Sequence, residues 1–320
     1  MKENLPAFVE HFEDEIKDLT NQGHKPMTFA FILAKLGVGK RLRNVYGIET
    51  QWDFRREDTL QLKLTVLFAK LLTRFFDGEK LGLILLKLSE VKYLFTKPTV
   101  HTMDGLKFFL NWKDRKSRYI FEDYKNKTAW EETTTNLIKA TLNEGETAVD
   151  VGASVGPITM QFARQVGEKG KVYSFEPTKR CFTYLKKNVE LNGFKNVEAF
   201  NLGAWDKTET VGMPRCDVHP TFYPCVSLDE FLEEKGILKV DYLKMDIDGS
   251  EPWALRGLVR TFERNPEMRI ICEYYPKYIL KAGGDPNEVL DILGKYFDLY
   301  TIPDDYGDGY CNLYGTRKHA

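Results

Sequence analysis

The sequence predicts an α/β fold: a doubly wound, mostly parallel sheet of seven strands, closed by an antiparallel hairpin and preceded by a helical region. Three observations predict it. From Glu146 onward, short apolar runs alternate with segments of helical period. The stretch "AVDVGASVGPITMQFA" (148–163) is a strand that enters a glycine turn and leaves it as a helix. The last two strand-like runs are separated only by "DYGDGY", a hairpin turn.

In chain order, residues 1–95 read as helical. Leu5, Phe8, Val9, Phe12, Ile16 and Leu19 recur at helical spacing, as do Phe29, Ile32, Leu33 and Leu36. An apolar pair, "LQLKLTVLFAKLLTRFF" and "LGLILLKLSEVKYLF", follows. Lys63, Lys70, Arg74, Asp77, Glu79 and Lys80 break it, so an amphipathic pair is expected rather than a transmembrane helix. The texture changes near Thr96, where a second unit, 96–320, begins. "VHTMDGLKFFLNW" predicts a strand pair and "TAWEETTTNLIKATLNEG" a helix with Gly145 past its end.

The seven strand-like runs are then "TAVDVG", "KVYSFEP", "VEAFNLGAW", "DYLKMDID", "RIICEYY", "FDLYTIPD" and "CNLYGT". Helices are expected at 157–167, 178–192, 227–236, 251–264 and 285–296. Buried parallel strands with helical crossovers read as apolar runs of this kind.

Composition narrows the class. The chain has 320 residues, 42% hydrophobic and 29% charged, as in ordinary globular proteins. Lys plus Arg total 46 against 47 acidic residues, which gives no global attraction for nucleic acid. The five cysteines (181, 216, 225, 272 and 311) are odd in number and scattered, which predicts free thiols in a reducing compartment. Glu3, Glu10, Glu13 and Asp14 stand where a signal peptide would be basic and then apolar. The expected location is cytoplasmic.

The chemistry gathers at strand ends, where α/β sheets bind ligands. Gly152 allows a tight turn, Gly156 allows the next helix to approach, and Pro157 suits its first turn. A dinucleotide turn needs a glycine where Ser154 stands, because backbone must approach a pyrophosphate there. A ribose-bearing ligand without phosphates fits better. Glu176, ending the second strand, can accept from both ribose hydroxyls. Gly203 and Ala204 leave room for an adenine, and Asp206 can accept from its amine. Asp246, Asp248 and Glu251 cluster where the fourth strand gives way to a helix. Alternation would put the two aspartates on one face. The cluster reads as helix caps, or as a substrate-orienting, base or divalent-cation site.

These residues resemble a known family. The glycine turn, "FEP" with the trailing "NVELNG", "SLDEFL" and "LKMDIDGSE" occur in order, and "IICEYYP" follows. In that combination residues 96–320 are similar to the FkbM-type S-adenosylmethionine-dependent methyltransferases. The resemblance implies the Rossmann-like class I methyltransferase fold, with strand order 3-2-1-4-5-7-6, and O-methylation of hydroxyls on sugars, polyketides or related metabolites. It places Asp150, Gly152, Ser154 and Gly156 at the methionine end of the cofactor and Glu176 at its ribose. The chain departs from the family's usual pattern at Ser154, Pro157 and Asp248.

The hydroxyl nucleophile must lose a proton, and Asp246 or Asp248 is the expected acceptor of it. The segment "VGMPRCDVHPTFYPC" is expected to be a loop over the acceptor pocket, with His219, Phe222 and Tyr223 as contacts. Cys216, His219 and Cys225 match no zinc spacing, so no metal is assigned. Glu273 in "IICEYYP" can face the same cleft. An RNA acceptor and a non-catalytic nucleoside-binding module are the alternatives. The charge balance, with no basic stretch interleaved with aromatics, counts against the first. The intact turn and Glu176 count against the second. The N-terminal helices are candidates for covering the acceptor site, for homo-oligomer contacts or for lying on a lipid or glycan surface.

Overall fold

The computed structural model describes residues 97–318 except 113–116, 119, 122–123, 125–129, 214–220 and 304–309. The N-terminal helices expected before Thr96, the apolar pair, Cys216 and His219 lie outside the described residues.

The described chain opens with a hairpin, β1 (Thr99–Met103) and β2 (Leu106–Leu110), turned by Asp104 and Gly105 at positive φ. Helix α1 (Glu132–Thr141) leads to β3 (Thr147–Val151), α2 (Pro157–Val166), β4 (Lys171–Phe175), α3 (Lys179–Leu191) and β5 (Val197–Phe200). Three short strands follow, β6 (Gly203–Trp205), β7 (Glu209–Met213) and β8 (Thr221–Ser227). Then come α4 (Leu228–Glu234), β9 (Tyr242–Met245), α5 (Glu251–Arg256), α6 (Val259–Arg264) and β10 (Arg269–Tyr274). The chain closes with α7 (Pro276–Ala282), α8 (Pro286–Tyr296), β11 (Phe297–Pro303) and β12 (Cys311–Arg317).

The main sheet has the order β11-β12-β10-β9-β3-β4-β5. Only β12 runs antiparallel to its neighbours. Numbered by the sheet's own strands, this is the order 3-2-1-4-5-7-6. The strand order reverses between β3 and β4 on one side and β9 on the other, which opens a crevice at their carboxyl ends.

The two faces of the sheet differ. One is wholly apolar at its centre: Val149, Val151, Phe175, Leu243, Met245, Ile270 and Cys272 pack with Leu255, Phe262 and Leu293 from the helices. The other begins apolar, with Ala148, Val172, Tyr242 and Ile271 under Ile138, Ile158 and Phe162. Towards the carboxyl ends it becomes polar. A third cluster seats the hairpin on α2 and α3 through Phe108, Leu110, Met160 and Cys181. Asn188 and Asn192 of the "NVELNG" motif fasten that contact. Asn188 accepts the Phe109 N–H at 2.7 Å and donates to the Val155 carbonyl at 2.8 Å. Asn192 accepts from the Lys107 N–H and donates to the Lys107 carbonyl, both at 2.8 Å.

Several expectations need correction. "VEAFNLGAW" is two strands, because the Asn201 side chain caps the Glu176 and Pro177 carbonyls and turns the chain between them. The second of these, β6, pairs with β8, and β8 with β7, in a separate sheet. The segment expected as an acceptor loop therefore supplies two strands. Helix 251–264 breaks at Gly257, where a Cβ would lie 2.3 Å from the Trp205 carbonyl oxygen. Asp229 of "SLDEFL" accepts the Arg260 and Thr261 N–H groups and so restarts the helix as α6. Helix α7 was not expected. Among the described residues no helix is long and apolar enough to cross a membrane.

Candidate active site

The turn after β3 is built by positive-φ residues. Gly152 (φ 87), Ser154 (φ 52) and Gly156 (φ 94) all lie in the left-handed region, which Ser occupies only at a cost. Glycine is required at 152, since a Cβ would lie 1.9 Å from the Asp246 carbonyl oxygen. The turn is thus pressed against the chain leaving β9. The Gly152 and Ala153 N–H groups bond to the Phe175 carbonyl at 2.9 and 3.0 Å. Glu176 is buried, and its carboxylate accepts the Ser154 N–H at 2.9 Å and the Thr178 N–H at 2.7 Å. Ser154 Oγ is buried with no hydrogen-bond partner. A buried hydroxyl without a partner beside a fixed carboxylate fits a ligand that carries polar groups.

Asp150 points under α2. It accepts from Thr159 Oγ1 at 2.5 Å, and Thr159 in turn contacts Ser174 Oγ at 3.0 Å. Burial pushes its pKa up to about 6. Register puts Asp150 opposite both Ser174 and Lys244, and Glu273 opposite Asn312. Ile271 stands opposite Lys244, and Glu273 lies two residues further along the same face, so the five polar groups share one face across five strands, Glu273 and Asn312 displaced towards its carboxyl end.

Lys244 is the buried cation of that face and was missed in the sequence. Its only sequence signal was a lysine inside an apolar strand. Its Nζ lies 2.9 Å from Asp246 Oδ2 and 3.4 Å from Glu131 Oε2. Burial alone would pull its pKa down, but Asp246 and Glu131 reverse this and hold it well above the ordinary lysine range.

The acidic turn departs from the expected pattern. Strand β9 ends at Met245, so alternation does not extend to Asp248. Asp246 is half-buried and bound to Lys244, whereas Asp248 is exposed in a turn at φ 55. The two are not a matched pair on one face. Glu251 begins α5 fully buried, and its Oε1 accepts the Ile247 and Gly249 N–H groups at 3.0 and 3.4 Å. Burial raises its pKa to about 7. Glu273 is drawn to the same place; burial first, then Asp246 and Glu251, hold its pKa well above the usual carboxylate range. Glu251 Oε2 and Glu273 Oε2 are buried without hydrogen-bond partners.

The remaining expected residues scatter. Gly203 and Ala204 are paired within β6, and Ala204 is packed in the apolar core, so it lines no adenine space. Asp206 keeps a buried Oδ1 without a hydrogen bond and sits 3.8 Å from Arg256. Tyr223 is buried within β8 rather than presented by a loop, while Phe222 is exposed. Among the described residues no group of three or more His, Cys, Asp or Glu is arranged to hold a metal ion. Cys225, Cys272 and Cys311 are free thiols.

Residues 150–298 match the family described as "Methyltransferase FkbM domain". A "Probable cobalt-precorrin-6B C(15)-methyltransferase (decarboxylating)" of Sulfurisphaera tokodaii is 41% identical over 61 residues, 19% of this chain and 32% of that protein. The chain thus spans about a third of that relative's length. Among solved structures, a SAM dependent methyltransferase from Aquifex aeolicus is 22% identical, covering 58% of this chain and 90% of that one at a TM-score of 0.37. A SAM-dependent O-methyltransferase from Thermotoga maritima is 14% identical, covering 63% and 72% at a TM-score of 0.38.

Proposed function

Because residues 150–298 are an FkbM-type S-adenosylmethionine-dependent methyltransferase domain, we propose that this chain O-methylates a hydroxyl of a sugar, glycan or other small metabolite. The observation that carries the reading is the closeness of turn and acid: the Gly152 turn abuts the backbone of Asp246 so tightly that only glycine fits. Gly152, Ser154 and Gly156 would hold the methyl donor, and Asp246 follows directly from the backbone that the turn abuts.

S-adenosylmethionine, when bound, supplies a methyl group on a sulfonium that leaves by in-line displacement. The chain's own residues do the rest. Glu176, held through both oxygens by backbone N–H groups, accepts from the ribose hydroxyls. Ser154 Oγ and the Gly152–Gly156 turn hold the methionine end, and Asp206 Oδ1 accepts from the adenine amine. Asp246 accepts the acceptor's hydroxyl proton, with Lys244 keeping it ionised. Alignment of hydroxyl and methyl is the larger part of the rate. In this reading Asp248, exposed in its turn, is no longer an equal candidate for the base. Glu251 and Glu273 border the acceptor, and residues 96–320 form the methyltransferase domain.

Thermal shift with S-adenosylhomocysteine against NAD tests the cofactor class, and stabilisation by NAD alone would overturn it. Labelled-methyl transfer to fractionated cell extract tests the acceptor. Label in the RNA fraction rather than in carbohydrates and small metabolites would replace the acceptor class proposed here.

A further inference from the structure

Glu131 lies upstream of the matched domain, yet its side chain enters this set of polar groups. It is the residue before α1 and holds a left-handed φ of 43, unusual for a glutamate. That position is where a side chain normally caps the helix, but Glu131 makes no capping hydrogen bond. Its Oε1 accepts from Trp130 Nε1 at 2.9 Å instead, and its Oε2 faces Lys244 at 3.4 Å. The side chains of Lys244 and Glu131 are 3% and 5% exposed, so water screens the pair little. On its other side the same ammonium meets Asp246 at 2.9 Å.

We infer that Glu131 and Lys244 are positioning residues, a buried relay Glu131–Lys244–Asp246 that fixes the orientation and charge of Asp246. A segment outside the matched domain thereby completes the site. The inference rests on the role given to Asp246 above. Two carboxylates compete for one ammonium, so removing either partner of Lys244 changes the field at the other. Asp246 also interacts with Asp150 from β3, Glu251 from α5, and Cys272 and Glu273 from β10, and Asp248 in the same turn acts on Glu273. All of these are acids, and Lys244 is the cation set against them.

Carboxyl-carbon NMR of the full chain labelled with [13C]aspartate, its Asp246 signal assigned through D246N, tests the relay without any acceptor. Lys244→Met removes the cation, and the Asp246 titration is expected to move up by about one pH unit or more. Glu131→Gln removes the competing anion, and the titration is expected to move down. Lys244→Arg is expected to leave it near the wild-type position. Opposite shifts in the first two variants support the relay, since a purely structural role moves neither. No shift in either, or shifts in the same direction, overturns it. Where K244M does not fold, the E131Q shift decides alone. The acid limb of the pH–rate profile for methyl transfer to the labelled fraction should follow the titration. Titration shifts without a matching limb would support the positioning and overturn Asp246 as the base.

Discussion

Glu176, at the end of β4, accepts the Ser154 N–H at 2.9 Å, which ties the acid of one strand to the turn leaving its neighbour. In the proposed reading, ligand binding and turn geometry are therefore joined at one carboxylate. Glu176→Gln keeps the size but removes the charge. Hydrogen bonds to charged groups are worth about 1.5–3 kcal/mol, so S-adenosylhomocysteine should bind roughly ten-fold or more weakly. Isothermal titration reads this directly, and an unchanged Kd would remove the ribose role.

Gly152 and Gly145 form a matched pair for measuring the contact with Asp246. Both have positive φ, 87 and 84, but a Cβ at Gly145 meets nothing within 4 Å. Gly145→Ala should cost only the left-handed backbone penalty, about 1–2 kcal/mol. Gly152→Ala should cost clearly more in unfolding free energy, since the Asp246 carbonyl must move. Equal losses in chemical denaturation would mean the turn can yield.

Asp246→Asn and Asp248→Asn should separate. Loss of a positioned proton acceptor lowers turnover by about 10²–10⁴-fold, which is expected for D246N with cofactor affinity kept. D248N, altering an exposed side chain, should stay within a few-fold of wild type. Near-wild-type turnover in D246N would exclude it as the base.

The buried acids predict a direction for stability with pH. Glu251 is raised from 4.5 to about 7 in the folded chain, so the folded state binds more protons than the unfolded one between those values. Its contribution is full below the unfolded pKa, declines as pH rises towards about 7 and is absent above. Asp150 acts in the same sense, rising from 3.8 to about 6. Through these two groups unfolding free energy should therefore fall between about pH 4 and pH 7, and Glu251→Gln should flatten that fall. An identical slope in the variant would remove Glu251 as a source.

Much of the fold was legible because burial writes itself into residue type. Apolar runs such as "TAVDV" and "RIIC" have one plausible home, the middle of a covered sheet. The turn after β3 was legible through its glycines, which answer to local backbone needs. Lys244 and Glu131 were not, because their meaning depends on register between segments far apart in sequence. Asp248 was misjudged since strand period says nothing about where a strand stops. "NVELNG" and "SLDEFL" could be recognised without a reason. Asn188 and Asn192 supply one by clamping the hairpin, and Asp229 by restarting a helix at Gly257.

One face of the sheet is hydrocarbon at its centre, while the other carries its buried charges only towards the carboxyl ends. Changes around Phe262, Phe297 and Leu293 bear on how long the molecule lasts. In the proposed reading, changes around Asp150, Lys244 and Glu273 bear on what it reacts with, and those at Asp150 also on how its stability varies with pH. The Phe262 side is therefore where durability can drift with the reacting groups left in place, while the reverse does not hold.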